Sequence, residues 1–214
     1  VNEHYFAALR EILAQGLPVT IEVSIAAMLI AIAGGLVLGV LRALRNPVLD
    51  TVIIAYVEIL RGIPLLVLMF FVFFGLPQLG FHFAEVPSAI IALGLWGAAN
   101  GTEIVRGAIF SISAGQSEAG AALGLNWLQV MVHVILPQAL RRMIPPFMSL
   151  FVATVESSSL AALIGVKDIV EIVRLRVEND PALWIPLLVS ILFLYFFINY
   201  PISVASQKLE KRLA

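Results

Sequence analysis

Residues 17–41 read LPVTIEVSIAAMLIAIAGGLVLGVL. A helix crosses the hydrocarbon core of a bilayer in about 20 residues, so Leu17 to Leu41 is long enough to span. Four further apolar runs follow: Val48 to Gly75, Val86 to Ile109, Ile144 to Leu163, and Leu183 to Ser206. Composition agrees with this reading. Of 214 residues, 61% are hydrophobic and 13% charged, and the mean hydropathy is +1.01. A soluble domain averages about 45–50% apolar and about 25% charged residues, and its core could not hide this much apolar surface. Lipid must be the solvent. The chain reads as an all-α, polytopic membrane protein with five transmembrane helices in a single domain over residues 1–214, with no room for a second globular domain.

Other classes fall away quickly. The net charge of -1 suggests no nucleic-acid partner. There is no cysteine, which removes disulfides and thiolate metal sites. His4, His82 and His133 are far apart in sequence, so no metal site is visible. Val1 to Ala14 does not read as a secretory signal, because Glu3 and Glu11 interrupt it and no basic segment precedes it. Glu3, His4, Arg10 and Glu11 instead alternate with Tyr5, Phe6, Leu9, Ile12 and Leu13, a pattern that predicts an amphipathic helix on the membrane surface over residues 1–14.

Basic residues set the orientation. Five spans place the termini on opposite sides. One side receives Arg42, Arg45, Arg106, Arg141, Arg142, Lys208, Lys211 and Arg212; the other receives Arg10, Lys167, Arg174 and Arg176. The first side is therefore expected to be cytoplasmic, with the amino terminus outside and the Lys208-to-Arg212 tail inside. On the outer side, Asp168, Glu171, Glu178 and Asp180 offset the basic residues. Residues 111–140 then form a long cytoplasmic loop.

That loop reads Gly115-Gln116-Ser117-Glu118-Ala119-Gly120-Ala121-Ala122-Leu123-Gly124, then Leu125 to Val134, then Ile135-Leu136-Pro137-Gln138-Ala139-Leu140. Ala119, Ala122 and Leu123 share a helix face. Gly124 is a helix stop, since glycine takes the left-handed conformation without strain. Trp127, Val130, Met131 and Val134 make a second apolar face, and Pro137 is expected to bend or end that helix. A short helix, a glycine turn and another helix result. Residue chemistry alone leaves two readings open, a hairpin packed on its own membrane domain or a docking element for a partner.

The order Glu118-Ala119, Gly124, Leu136-Pro137 resembles the EAA loop of permease subunits of binding-protein-dependent ABC importers. The family pattern runs Glu-Ala-Ala, three residues, Gly, nine residues, Ile, one residue, Leu-Pro, and the spacing here matches. Gly120 stands in place of the second Ala and Val134 in place of the Ile. The resemblance implies that Glu118, Ala119 and Gly124 belong to a coupling helix seated on an ATP-binding cassette subunit. Arg61-Gly62-Ile63-Pro64-Leu65-Leu66-Val67 resembles the Arg-Gly-Thr-Pro-Leu-Leu segment of the polar amino acid subfamily, with Ile63 in place of Thr. Glu103-Ile104-Val105-Arg106-Gly107, Leu136-Pro137-Gln138-Ala139 and Ser159-Leu160 with Ile164-Gly165-Val166 are similar to the same subfamily. By resemblance, the partners are the ATP-binding subunit, a second permease subunit (the same or homologous), an extracytoplasmic solute-binding protein, and an amino acid substrate. The location would be a bacterial inner membrane. This chain has no Gly-x-x-x-x-Gly-Lys-Ser/Thr phosphate loop. ATP and Mg are expected on the partner, with no cofactor on this chain and no enzymatic site of its own.

Ionisable residues inside spans need a reason, since each costs about 2.5–3.5 kcal/mol at the bilayer centre on insertion scales. Glu58 and Arg61 lie three apart, where they can pair, and Gly62 and Pro64 follow. These four read either as a kink near a gate or as a paired charge near the interface. Glu103 and Arg106 repeat the spacing and read as an interfacial pair. Glu156-Ser157-Ser158-Ser159 places a carboxylate beside three hydroxyls, which suits a substrate ammonium or a helix end satisfied by backbone. In the subfamily this stretch often reads Lys, an acidic residue, then Thr or Ser, so Glu156 departs from it. Asn100, one turn from Trp96, is a further candidate for the substrate pathway. Gly34, Gly35 and Gly39 permit close helix contact, and Pro186 and Pro201 are expected to bend the fifth span.

Two other classes compete. A self-contained secondary transporter or channel for small polar solutes would show matched, inverted halves, and five spans do not divide that way. A membrane enzyme would need a base or metal near its nucleophile, and the three histidines are poorly placed for that.

Overall fold

The computed structural model describes residues 2–43 and 46–213. Arg45, counted above among the basic residues of the inner side, lies outside the described residues, as does Val1 of the amino-terminal segment. Among the described residues there is no strand. Ten α-helices follow in order: α1 (Asn2–Glu11), α2 (Leu17–Ala43), α3 (Pro47–Gly62), α4 (Leu65–Phe70), α5 (Glu85–Phe110), α6 (Ala114–Ala122), α7 (Trp127–Val130), α8 (Leu136–Ser158), α9 (Ile169–Asn179) and α10 (Trp184–Leu213). Short π and 3-10 segments join several of them into longer rods. Four rods are long and apolar enough to cross a membrane: Glu3–Ala43, Glu85–Phe110, Trp127–Ile164 and Pro181–Leu213.

The remaining expected span, Val48 to Gly75, is a bent pair. α3 and the segment Leu65–Leu79 meet at 102°. The cause lies in Ile63-Pro64. A residue before proline is pushed out of the helical region, and Ile63 has φ -85 and ψ 132. Five spans are reached only if this pair counts as one.

Three prolines lie within or beside continuous helix, and each follows a π turn. Ile12–Gly16 precedes Pro18, Phe71–Gly75 precedes Pro77, and Met131–Ile135 precedes Pro137. In each, the N–H just before the proline reaches back five residues: Leu17 to Ile12, Leu76 to Phe71, Leu136 to Met131. The wider turn relieves the clash between a proline ring and the carbonyl one turn back. Pro137 therefore neither ends nor breaks its helix. The second helix of the 111–140 loop is instead the start of the rod Trp127–Ile164. For the same reason α1 runs through Ile12–Gly16 into α2 and is not a detached surface helix. One face of it is buried, with Ala8 and Ile12 against Ile169, Ile172, Val173, Leu183 and Leu187 of α9 and the start of the last rod. Pro186 sits in the first turn of α10, while Pro201 lies inside that helix.

In lipid, apolar burial gives little drive for helices to associate, so close packing of small residues takes over. α2 and α5 show how. A Cβ on Gly35 would lie 2.7 Å from the Gly101 carbonyl carbon, and one on Gly97 would lie 2.7 Å from Ala31 Cβ. The two backbones touch at glycine. One half of the pair closes over Val23, Ala27, Met69, Ala89 and Leu93. The other half closes over Val105, Ile109, Met131, Ile135 and Met143, which brings in the hairpin and α8.

Polar contacts fix both ends of the bundle. At one end Arg42 holds Asp50 (Nε to Oδ1, 2.8 Å) and Glu103, and Arg106 holds Glu103 at 2.7 Å. The expected Glu103–Arg106 pair is thus half of a four-residue cluster joining the first three membrane segments. At the other end, Arg176 pairs with Glu11, and the His4 ring nitrogen lies 3.2 Å from Asp180. Tyr5 Oη and Ser190 Oγ are 2.8 Å apart. Arg174 pairs with Glu171 at 2.5 Å and also with Glu178, so α9 carries much of its own charge balance.

Candidate functional site

Two places combine exposure with chemistry, and one rod carries both. The first is the hairpin. Ser113 caps α6, its Oγ accepting from Gly115 N at 3.3 Å. The helix ends where Gly124 takes φ +80, and Leu125 N donates back to Gly120 O at 3.1 Å. Asn126 and Gln129 then exchange two bonds, a capping box that starts α7. Gly120 is buried, and a Cβ there would lie 2.8 Å from Val130 Cγ2. This explains why glycine stands where the family pattern has alanine: Val130 occupies the room.

Glu118, Ala119 and Gly124 are all exposed. Leu123 is 82% exposed, Leu128 62% and Trp127 46%. The sequence reading placed Trp127 on one face with Val130 and Met131. The structure buries Val130 and Met131 and leaves Trp127 46% exposed, though Trp127 and Met131 still border one cavity. Glu118, Ser117 and Trp127 border a cavity of about 390 Å³ roofed by Phe110 and Ala43. The hairpin is also tied to the rod it leads into. Arg142 Nη1 donates to Ser111 O at 2.7 Å, and Gln138 Nε2 donates to Gln116 Oε1 at 3.3 Å.

The second place lies at the far end of that rod. Glu156 is exposed on α8 and borders an open cavity of about 310 Å³ with Tyr195, Asn199, Tyr200 and Ser203 of α10. Asn199 Nδ2 donates to Glu156 Oε1 at 3.4 Å. Of the serines beside Glu156, Ser159 borders a second, mostly apolar cavity of about 270 Å³ with Glu156 and Tyr195. Ser158 Oγ donates to Val155 O at 2.7 Å and Ser159 Oγ to Glu156 O at 2.6 Å. They satisfy the end of α8 where it tightens into the 3-10 segment Ser159–Ile164, and Ser157 is half-buried. The α10 residues were missed in the sequence. Their signal was available: Tyr195, Asn199 and Ser203 recur every four residues in an apolar helix, which puts them on one face. Asn199 Oδ1 and Tyr195 Oη are buried without a partner in the chain.

The other candidates stand apart. Asn100 is half-buried, and its Nδ2 donates to Trp96 O at 2.9 Å. Glu58 and Arg61 are exposed on α3 and do not form the ion pair that their spacing allowed. Gly62 and Pro64 mark the 102° bend. A larger groove of about 530 Å³ between α2, α8 and α10 is lined by Met28, Leu36, Met143, Phe147 and Phe151. It offers polar solutes no partner.

Asp168, at the start of α9, is 1% exposed. Its Oδ1 caps the helix, accepting from Glu171 N at 2.8 Å, while Oδ2 has no partner in the chain. Gly16 allows the close approach, since a Cβ there would lie 3.0 Å from the Ile169 backbone. Burial pushes the Asp168 carboxyl up to about 7, against the pull of the Glu171 N–H. A folded value above the unfolded one means that stability falls as pH rises through this window. Melting in detergent should therefore drop between pH about 4 and about 7. Asp168→Asn, which keeps the capping oxygen, should flatten that part of the profile. An unchanged profile would show that other groups set it.

The chain matches the family described as "Binding-protein-dependent transport system inner membrane component" over residues 31–214. It is 35% identical over 199 residues to the "Probable glutamine ABC transporter permease protein GlnP" of Bacillus subtilis (strain 168), covering 92% of this chain and 91% of that protein. It is 32% identical over 213 residues to the "Glutamine transport system permease protein GlnP" of Escherichia coli (strain K12), covering 94% and 93%. Among solved structures, it superposes with a TM-score of 0.88 on a chain of "an amino acid ABC transporter with histidines", at 25% identity over 97% of this chain and 96% of that one. A chain of the MetNI methionine ABC transporter, at 22% identity and TM-score 0.78, shares the fold over 96% of this chain and 98% of its own length. The hairpin, the all-helical membrane fold and these likenesses agree, and the chain belongs to the inner membrane components of binding-protein-dependent transport systems.

Proposed function

We propose that this chain is the permease subunit of an ATP-driven amino acid importer. It pairs with a second permease subunit, and an ATP-binding cassette subunit docks on the exposed face of each hairpin. ATP and Mg sit on that partner. The amino terminus and α9 face outward, where an extracytoplasmic solute-binding protein delivers the amino acid near Lys167 to Asp180. The Lys208-to-Arg212 tail lies in the cytoplasm.

One observation carries this reading: the hairpin and Glu156 share an unbroken rod. Trp127–Ile164 is continuous, and at 1.5 Å per residue Trp127 and Glu156 stand roughly 43 Å apart along it. Closure of the ATP-binding subunits moves the hairpin, and the rod carries the movement to the Glu156 cavity without a hinge between them. The hydrogen bonds from Arg142 and Gln138 keep hairpin and rod in register. Alternating access follows from tilting this rod and its counterpart in the second subunit.

At the cavity, Glu156 supplies the charge for a substrate ammonium, and Asn199 holds the carboxylate. No basic side chain lines that cavity. Glu156→Gln keeps size and one acceptor but removes the charge. A hydrogen bond to a charged group is worth about 1.5–3 kcal/mol, so uptake should fall about tenfold or more at low substrate. ATP hydrolysis in the assembled complex should remain. Unchanged uptake at equal membrane levels would remove Glu156 from the substrate path. Ion-gradient-driven uptake by the purified chain alone would instead favour a self-contained transporter.

A further inference from the structure

Tyr195 stands where two cavities meet. The cavities of about 310 and 270 Å³ follow one another along α10. Leu188, Ile191 and Leu192 border the smaller, while Asn199, Tyr200 and Ser203 border the larger. Glu156 and Tyr195 border both. The Tyr195 side chain is half-buried beside them, but its hydroxyl is fully buried.

That hydroxyl lies beside Thr20 of α2 and close enough to Asp168, at the start of α9, to feel its charge. Thr20 Oγ1 accepts from Ile169 N at 3.3 Å, so α2 and α9 are already joined at this point. Asp168 Oδ1 is taken up as the helix cap. What remains is a buried donor, Tyr195 Oη, and a buried acceptor, Asp168 Oδ2, in one neighbourhood and each without a partner in the chain. Among the described residues no cation pairs with Asp168. Buried polar groups are costly to leave unpaired, and these two are complementary. One turn along α10, Asn199 bonds Glu156 at 3.4 Å. A polar line thus runs from α9 through Tyr195 to the Glu156 cavity.

We infer that Tyr195 is a positioning residue for the Glu156 site, its hydroxyl donating to Asp168 Oδ2 so that α9 sets where the ring stands between the two cavities. The inference rests on the permease reading, in which α9 faces outward and meets the solute-binding protein. Movement of α9 then makes or breaks the bond. With the bond made, the ring divides the Leu188 cavity from the Asn199 cavity. With the bond broken, the ring is free to turn, and the two join beside Glu156. The hydroxyl touches no substrate in this scheme; it acts through the ring and through α9.

The sequence has no cysteine, so one reporter thiol can be placed in each cavity. Leu188→Cys lies on the α9 side of Tyr195 and Ser203→Cys beyond it. The chain is co-expressed with its ATP-binding subunit, and right-side-out vesicles are treated with a membrane-impermeant maleimide, with and without ATP. Loss of one hydrogen bond is expected to shift the ring about tenfold. In the condition where Ser203→Cys labels more slowly, Tyr195→Phe should therefore raise its rate about tenfold and leave Leu188→Cys unchanged. Asp168→Ser keeps an N-cap oxygen but is too short to hold Tyr195 as well. It should match Tyr195→Phe, and the two together should bring no further gain. Asp168→Asn caps with its oxygen and donates to Tyr195 Oη through Nδ2, so it should stay near the parent rate. Tyr195→Phe without effect, two effects that multiply, or Asp168→Asn as fast as Asp168→Ser would each overturn the tie. So would an equal rise at Leu188→Cys, which would mean a loosened bundle. If the parent chain recovers its ATP-binding subunit while labelling fails in one of these ways, the permease reading stands. A parent chain that recovers none sinks that reading, and the inference with it.

Discussion

Glu118→Arg is expected to abolish ATP-driven uptake while the chain still reaches the membrane in normal amount. Glu118 is exposed at the edge of the hairpin cavity. Among the described residues it makes no ion pair within the chain. Its replacement therefore removes nothing that holds the fold. What it changes is the surface offered to the ATP-binding subunit. A charge placed against its own sign across an interface costs several kcal/mol, and each 1.4 kcal/mol is a factor of ten. Uptake in proteoliposomes should fall about 100-fold or more, and ATP hydrolysis should lose its dependence on the solute-binding protein. Melting of the isolated chain should be unchanged. Normal uptake would detach the hairpin from coupling, and a lowered melting temperature would mean that Glu118 serves the fold.

The second large effect is on stability. Gly35→Leu should prevent α2 from closing on α5. A Cβ at position 35 would lie 2.7 Å from a backbone carbon of Gly101, and backbone cannot swing aside as a side chain does. Overpacking costs about 1–3 kcal/mol and at times more; here the obstacle is backbone, so about 3 kcal/mol or more is expected. Gly107→Leu on α5 is the control, since a Cβ there meets nothing within 4 Å. Size-exclusion profiles and melting in detergent should show aggregation or a large loss for Gly35→Leu and little change for Gly107→Leu. Equal behaviour would contradict the glycine seam.

Much of the architecture was legible because lipid imposes simple rules. Length and hydropathy found the apolar runs, and the Gly124 stop and the helix before it were readable from glycine chemistry. The errors share a cause. Pro137 reads as the bend or end of its helix, yet a π turn absorbs it, as others do Pro18 and Pro77, and that depends on backbone register rather than residue type. Hence α1 fused to α2, and the second half of the hairpin fused to the fourth rod. Ile63-Pro64 had no such turn before it and gave the 102° break. At the polar site, Glu156 stood out as a charge in a span, whereas Asn199 and Tyr195 were hidden among the aromatics of α10. Of the serines, Ser158 and Ser159 bond to their own helix backbone, as hydroxyls near a helix end usually do, while Ser159 also borders a cavity with Glu156. Nor could spacing show that Glu58 and Arg61 decline to pair, because that is settled by side-chain conformation.

The claim at the centre of this account is that the hairpin receives the ATP-binding subunit and drives the rod that bears Glu156. Site-specific cross-linking tests it directly. Leu123, 82% exposed at the hairpin tip, is changed to cysteine in the otherwise cysteine-free chain. Native membranes are then treated with a short thiol-to-amine cross-linker, with and without ATP, and the products are identified by mass spectrometry. The account predicts a cross-link from position 123 to an ATP-binding subunit, with a yield that changes on adding ATP. Products confined to this chain and lipid, in a sample that still transports, would contradict it.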